Sequence, residues 1–385
     1  MAPPLYRFRT PTEIVYGIGT VGQTGAITRR YASDRVLIVT DRGVIAAGLL
    51  DRVTQPLTEA GLRYDVFDSV EPNPSIETVN RGLQAFQNSG AQAIVAIGGG
   101  SSIDAAKAIS LLATNGGDIA SYEGADKVHL PNAPLVAIPT TAGTASEVTI
   151  FFVITNRDTG YKFSGGSVNA TAHVAILDPE LTLTMPPRLT AAVGMDTLTH
   201  AIESYTCLVT YPVTSSLAFD AIARTAKYLP QAVEHGDDIE ARDNMLMACL
   251  MAGMAFSNSR LGNVHAMSHP VGGHFDVPHG VANAIILPYV MEYNLAASAE
   301  RFANIATGLG CDVAGKSQAD AAKMAVDAVR TLSRRIGIPE RLSEVGVTTD
   351  RIHLLATDAM KSGNIPINPR PTTYDDMVEL YQRVI

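Results

Sequence analysis

Four of the chain's nine histidines, His265, His269, His274 and His279, fall in one short stretch, HAMSHPVGGHFDVPHG. Upstream, GMDTLTH holds Asp196 and His200. Asp196 and His200 are spaced i,i+4, as are His265 and His269. In a helix that spacing puts both side chains on one face, a turn apart. His279 follows Pro278 and precedes an apolar run, so it stands where a loop enters a helix. Two helices and a loop can then aim such groups at one point. One aspartate with three histidines makes a ligand set for a divalent cation. The donors are borderline to hard. They suit Fe2+ and also accept Zn2+ or Ni2+, so the residues permit iron without selecting it.

Two glycine motifs compete for the phosphates of a dinucleotide. Gly17-Ile-Gly19-Thr-Val-Gly22 fits G-x-G-x-x-G between a strand-like and a helix-like run. Asp41 closes the next strand, at the distance expected of a carboxylate that contacts a ribose. A lone match of this kind also arises from ordinary turn chemistry. The rival, Gly98-Gly99-Gly100-Ser101-Ser102, sits between AIVAI and IDAAKAI. A buried strand thus feeds a glycine turn and then a helix N-terminus, where unpaired N–H groups and the helix dipole favour an anion. Three glycines let a diphosphate approach the backbone. A flexible linker would not stand between such a strand and such a helix. Asp104 and Lys107 open that helix, with Asp104 either holding the loop or touching ligand. A third turn, Thr140 to Glu147, is dense in hydroxyls suited to a cofactor's sugar or carboxamide, although a Thr-rich turn with a helix cap reads the same way.

The elements that must hold these groups change character along the chain. TEIVYG, RVLIVTD, RYDVFDSV, AQAIVAI and PLVAIP are strand-like. Gly43 to Gly61, Ser75 to Ser89 with Ser75 as N-cap, and the run after Gly100 are helical. Strands separated by helices of this length make parallel βαβ units. After about Met185 strand signals nearly vanish. Helical periods follow in LTAAVGMDTLTHAIESYT, PVTSSLAFDAIARTAKYL and ARDNMLMACLMAGMAFSNSRLGNVHAMSH. The third is apolar nearly all round and should lie inside a bundle, stopped by Pro270, Gly272 and Gly273. The predicted architecture is an α/β dinucleotide-binding domain over residues 1–185 and an all-helical metal-binding domain over 186–385, parting near Pro186–Pro187.

Bulk properties agree. A chain of 385 residues, 46% hydrophobic and 17% charged, is expected to be globular with two cores. A net charge of −9 without any Lys/Arg-rich run argues against a nucleic-acid partner. The start lacks an apolar core of signal-peptide length, and the longest apolar runs are interrupted, so no membrane span is expected. Cys207, Cys249 and Cys311 are scattered and odd in number. They read as buried thiols in a reducing compartment, which implies a cytoplasmic location.

Several longer words run through nearly the whole chain: EPNPS at Glu71–Ser75, GGGSSIDAAKAI, PTTAGTASEVT, GMDTLTHAIESY, AGMAFSN before GNVHAMSHP, PHGVANAIILP, and NPR at Asn368–Arg370. Together they resemble the iron-containing (group III) alcohol dehydrogenases, a fold group that includes glycerol dehydrogenase and dehydroquinate synthase. Within it, lactaldehyde reductases and 1,3-propanediol dehydrogenases look nearest. The resemblance places the diphosphate on Gly98, Gly99, Gly100 and Ser101, and leaves Gly17–Gly22 as a structural turn. It implies NAD contacts from Asn73, Asp104, Thr140, Thr141, Thr144, Ser146 and Lys162. Asp41 keeps the ribose, where its charge would repel a 2′-phosphate and favour NAD over NADP. The resemblance names Asp196, His200, His265 and His279 as ligands of Fe2+. His269 falls beside the nicotinamide, for proton relay or cofactor packing. His274 has no counterpart and reads as an exposed or satisfied loop histidine. There are departures: Ser167 and Ala172 stand where relatives often carry Asp and Pro, next to the segment of Lys162. Phe151 replaces a polar Asn of the lactaldehyde-reducing branch, and with Phe256 it predicts an apolar pocket unsuited to a highly polyhydroxylated substrate. A homodimer follows from the resemblance alone.

The activity so implied is hydride transfer between a small primary alcohol and NAD+, or the reverse from an aldehyde. A cation would polarise the substrate oxygen in a cleft between the domains. Three other chemistries share the fold. A hydroxyacid–oxoacid transhydrogenase would hold the cofactor through both half-reactions. A maleylacetate-type reductase has lost the metal, against the intact Asp and His set. A dehydroquinate synthase-like lyase needs a Lys/Arg cluster that the helical half lacks.

Overall fold

A computed structural model describes residues 5–385. The described chain divides into two compact units, Thr10–Met185, and Pro186–Ile385 together with residues 5–9.

The first unit carries nine strands: β1 (Glu13–Tyr16), β2 (Arg35–Val39), β3 (Arg63–Phe67), β4 (Ala93–Gly98), β5 (Gly124–Ala125), β6 (Leu135–Pro139), β7 (Phe151–Asn156), β8 (Tyr161–Gly166) and β9 (Val174–Leu177). Its helices are α1 (Thr24–Thr28), α2 (Arg42–Ala46), α3 (Asp51–Glu59), α4 (Ile76–Ser89) and α5 (Gly100–Asn115). Six strands form one sheet in the order β1-β9-β6-β4-β2-β3, all pairings parallel. The central strands are continuous apolar runs because both faces are covered. Leu37 and Val39 of β2, with Ile94 and Ala96 of β4, join the core under α5. Val36 and Ile38, with Val95 and Ile97, join the opposite core against Val53 and Leu57 of α3.

The sheet order locates the useful edge. β3 lies outside β2, whereas β4 returns to the other side of β2. In open α/β sheets such a reversal opens a crevice at the carboxyl ends of the strands. The loops after β2 and β4 flank it. They carry Asp41 and Gly98–Ser102.

A buried polar network fixes the third turn against α5. Lys107, fully buried, donates from Nζ to the carbonyls of Thr149 (2.8 Å) and Phe151 (2.7 Å). Asp104 accepts from Ser146 Oγ and from the Val153 amide at 3.0 Å. Burial draws the Lys107 ammonium down to about 8, against the pull of Asp104 and Glu147. Glu147 is buried beside them, and its Oε1 has no hydrogen-bond partner among the described residues.

Some local readings change. The helical period from Gly43 to Gly61 is two helices, α2 and α3, because Gly48 takes φ 72° between them. The antiparallel hairpin β7–β8, carrying Phe151 and Lys162, escapes the strand signals of the sequence. Ser75 caps α4 as expected, accepting from the Thr78 amide.

The second unit is helical: α6 (Pro187–Thr206), α7 (Pro212–Glu234), α8 (Ile239–Ser259), α9 (Asn263–Phe275), α10 (His279–Asn294), α11 (Ala299–Gly308), α12 (Gln318–Arg335), α13 (Ile352–Ala359) and α14 (Tyr374–Val384). The long Met- and Ala-rich run is broken after Ser259, where Arg260 takes φ 77°, so its histidines belong to a separate helix. Pro270 and the glycines after it do not stop that helix, contrary to the sequence expectation. Pro270 forgoes only the bond to the carbonyl four residues back, and α9 continues until Asp276 turns left-handed at φ 54°. Residues 5–9 pack on this unit and not on the first, where the boundary at residue 185 would have left them: Tyr6 stacks on Tyr211, and the Arg9 amide bonds Asn258 at 2.8 Å. Among the described residues no helix is long and apolar enough to cross a membrane.

Burial raises the Glu147 carboxyl from 4.5 to about 7, with Lys107 acting in the opposite sense. A carboxyl whose pKa rises on folding stabilises fully below its unfolded value and loses that contribution as pH climbs through the folded one. Glu147→Gln should therefore gain in melting temperature over the parent between about pH 4.5 and 7. A difference in melting temperature that stays constant from pH 5 to pH 8 would contradict this.

Candidate active site

At the crevice of the first unit, the three glycines leave room for neighbouring side chains as well as for a ligand. Gly98 takes φ 152°, and a Cβ there would lie 2.6 Å from Ser102 Oγ and 3.2 Å from Asp41 Oδ2. A Cβ on Gly100 would lie 2.6 Å from Thr144 Oγ1, and one on Gly99 3.3 Å from Thr141 Oγ1. The Thr140 amide donates to the Gly98 carbonyl at 2.9 Å. The glycine turn and the threonine turn are thus packed face to face. Gly99 caps α5 without a side-chain hydrogen bond, so the first amides of this long helix keep their donor capacity for an anion.

The Asp41 carboxylate ties the turn after β2 to the glycine turn. Oδ1 accepts from the Val44 amide as the N-cap of α2, and Oδ2 accepts from Ser102 Oγ at 3.0 Å. A carboxylate has further lone pairs for a ribose hydroxyl. Lys162 Nζ reaches Asn73 Oδ1 at 2.8 Å, which brings together two residues assigned to the cofactor from distant parts of the sequence. Asp104 and Ser146 bond each other. Both Asp104 oxygens have partners inside the protein, so the loop-holding alternative is the one its geometry matches.

In the second unit α6 aims Asp196 and His200 into the bundle, α9 brings His265, and α10 begins at His279. Asp196 Oδ1 lies 3.9 Å from His200 Nδ1, 3.9 Å from His265 Nε2 and 3.7 Å from His279 Nε2. Ligand atoms of Asp196, His265 and His279 all fall within 4.8 Å of one another. His200 flanks this trio: its ring stacks on His265 at 4.5 Å and on Phe256 at 4.4 Å, and its buried Nδ1 has no hydrogen-bond partner among the described residues. His269, a turn along α9, stands with its ring 5.4 Å from that of His279. Phe256 therefore walls the histidine cluster, whereas Phe151 belongs to β7 of the first unit. His274 is not a loop residue. It ends α9 and pairs with Asp358 at 2.7 Å.

Two residues that the sequence reading passed over complete the cluster. Asn283, on α10 one turn after His279, places Nδ2 2.6 Å from Asp196 Oδ1, 3.2 Å from His265 Nε2 and 3.1 Å from His279 Nε2. An amide has two protons to give, and three acceptors face it. With the unpartnered His200 nitrogen, the pocket holds more lone pairs than its own donors satisfy, which is the condition a divalent cation relieves. Glu203, on the α6 face of Asp196 and His200, contacts His265 Nδ1 at 2.5 Å. Burial raises its carboxyl to about 7, opposed by the Val264 and Gly262 amides. The i,i+7 spacing from Asp196 was the available signal for Glu203. The i,i+4 spacing from His279 was the signal for Asn283.

A switch-point crevice in one unit and a cation-type cluster in the other are the two sites a metal-dependent enzyme with a dinucleotide cofactor needs. The family description "Iron-containing alcohol dehydrogenase" matches residues 11–179, and "Fe-containing alcohol dehydrogenase family, C-terminal" matches 190–385. The chain belongs to the iron-containing alcohol dehydrogenase family. It is 43% identical to a 1,3-propanediol dehydrogenase of Citrobacter freundii over 385 residues, all of both chains. It is 42% identical over 378 residues to an NAD-dependent methanol dehydrogenase of Bacillus methanolicus, covering 98% of this chain and 99% of that one. A crystal structure of a 1,3-propanediol oxidoreductase superposes with a TM-score of 0.96 at 41% identity, covering 99% of this chain and 100% of the other. These matches favour the dehydrogenase reading over the transhydrogenase, maleylacetate-reductase and lyase alternatives.

Gly280 shows how tightly the cluster is held. A Cβ there would collide with the backbone carbonyl of Ala192 on α6 and come 3.4 Å from Asp196 Cβ. Gly280→Ala must push α10 off α6 and carry His279 away from Asp196. It should cost about 1–3 kcal/mol of stability and weaken divalent-cation binding. Parental melting temperature and cation affinity in that variant would contradict the packing argument.

Proposed function

We propose that this protein is an NAD-dependent alcohol dehydrogenase that interconverts a small primary alcohol and its aldehyde. The observation that carries the reading is the convergence of three imidazole nitrogens on one Asp196 oxygen. Asp196, His200, His265 and His279 hold the cation. A bound divalent ion, Fe2+ by family and Zn2+ or Ni2+ by donor type, supplies Lewis acidity toward the substrate oxygen, and NAD supplies the hydride acceptor. Gly98–Ser101 and the α5 N-terminus bind the diphosphate. Asp41 accepts from the adenine ribose and excludes a 2′-phosphate by like charge. Thr140, Thr141, Thr144, Ser146, Asn73 and Lys162 line the rest of the cofactor's path, and Asp104 holds Ser146 in place. His269, whose imidazole can both donate and accept a proton, moves the alcohol proton outward or packs the cofactor. Phe256, stacked on His200, makes the surroundings of the cluster apolar. That suits a short alcohol with few hydroxyls, in keeping with relatives named for methanol and 1,3-propanediol. The free thiols of Cys207, Cys249 and Cys311 support a cytoplasmic location. A homodimer rests on the family resemblance.

Absorbance of NADH, followed with a panel of short aldehydes and 2-oxo acids, tests the reaction class. His265→Ala and Asp196→Ala should each abolish metal-dependent turnover while leaving NADH binding intact. Full activity in either variant, with its metal content verified, would remove the ligand assignment. Asp41→Gly should shift the NAD/NADP ratio of kcat/KM toward NADP by about tenfold, equivalent to about 1.4 kcal/mol. An unchanged ratio would take Asp41 out of cofactor selection.

A further inference from the structure

The N-terminus of α9 has no cap of its own. Gly262, its N-cap residue, makes no side-chain cap hydrogen bond. The capping acceptors come from elsewhere in the bundle. Glu203 Oε1, on α6, accepts from the Val264 amide at 2.7 Å, and Asn368 Oδ1 stands 3.4 Å from the Asn263 amide. A Cβ on Gly262 would lie 2.9 Å from Glu203 Oε1 and 3.1 Å from Asn368 Oδ1, so glycine is what lets both acceptors close in. The other oxygen of the same carboxylate, Oε2, contacts His265 Nδ1 at 2.5 Å. One carboxylate thus touches both the start of the helix that carries His265 and the ring of His265 itself. It does so from the helix that carries Asp196 and His200.

The direction of the hydrogen bonds follows from the neighbours. Asn283 Nδ2 can only donate, and it faces His265 Nε2 at 3.2 Å, so Nε2 presents its lone pair to the cluster. The ring proton then sits on Nδ1 and is donated to Glu203 Oε2. Gly262 and Val264 amides feed the same carboxylate from behind. The bonds from Asn283 through His265 run toward Glu203, and the α9 backbone donates to the same carboxylate from the other side.

We infer that Glu203 is a positioning residue that holds His265 as the Nδ1–H tautomer and clamps α9 to α6, keeping the Nε2 lone pair turned toward the cluster where a cation would bind. The inference deepens the metal reading above and rests on it. A carboxylate behind a ligating imidazole fixes its tautomer and orientation and raises its basicity, and loss of such a partner costs about 10–100-fold in metal affinity. The Val264 amide and the His265 ring contact different oxygens of Glu203, and Glu203→Gln turns one of the two into an NH2 that cannot accept.

The test is Zn2+ affinity by competition with a chromogenic chelator, on the full-length parent and on Glu203→Gln, with NADH affinity measured on both. The expected result is tight Zn2+ binding by the parent, a 10–100-fold loss in the variant, and NADH affinity within twofold. A parent that binds no Zn2+ would sink the metal reading. A variant that binds Zn2+ within twofold of the parent would sink the role of Glu203 alone. A second readout needs no variant and remains decisive if Glu203→Gln does not fold. In 15N-histidine spectra of the Zn2+-loaded parent, His265 should appear as the Nδ1–H tautomer, with that proton shifted downfield by the short bond to Glu203. An Nε2–H tautomer for His265 would overturn the inference.

Discussion

Lone pairs repel, and a protein interior does not gather them without a positive partner. Three histidine nitrogens surround one buried Asp196 oxygen at 3.7–3.9 Å. The nearest donor, the Asn283 amide, has too few protons for the acceptors in front of it. That excess of acceptors is the constraint on which the helical unit is built. It requires α6, α9 and α10 to approach closely and to stop at fixed positions. A small residue permits the approach of α10 to α6: Gly280 abuts the Ala192 carbonyl. Starting α10 at His279 turns a loop residue into a rigid one, because Pro278 sets the backbone just ahead of it.

The first unit solves a different problem with related means. The ligand proposed there is a long anion, and the donors proposed for it are backbone amides at strand ends. The reversal of sheet order between β2 and β4 provides the crevice. Three turns then have to keep their places around it. Asp41 joins the first to the second through Ser102, and Asp104 and Lys107 join the second to the third through Ser146, Thr149 and Phe151. The acidic and basic side chains of α5 thus serve as braces, and the glycines at its start leave space for both the threonine turn and a phosphate. Burying Lys107, Asp104 and Glu147 together is costly unless they are hydrogen-bonded, and all but Oε1 of Glu147 is engaged.

Much of this was legible before any coordinates. The i,i+4 pair in GMDTLTH lies on one face of α6, and the strand–glycine–helix reading of AIVAIGGGSSIDAAKAI matches β4 and α5. Both are local signals: a helix period and a turn composition carry them completely. What the residues did not disclose depends on distant partners. Glu203 reads as one more polar residue on a helix until the start of α9 is seen to lack a cap. Asn283 is an ordinary asparagine until three acceptors converge on its amide. Pro270 looks like a helix stop because the rule for proline is local, whereas the packing that carries α9 past it is not. The β7–β8 hairpin was missed because its second strand, YKFSGG, is rich in glycine and weak in β-branched residues.

The central claim is that Asp196 and the histidines around it form one binding site for a single divalent ion. X-ray absorption at the iron edge, on protein loaded with Fe2+ under anaerobic conditions and assayed for metal content, addresses it most directly. The account predicts one iron per chain with the outer-shell scattering of several imidazole rings. Iron that fails to bind, or binds with no imidazole signature, would contradict it.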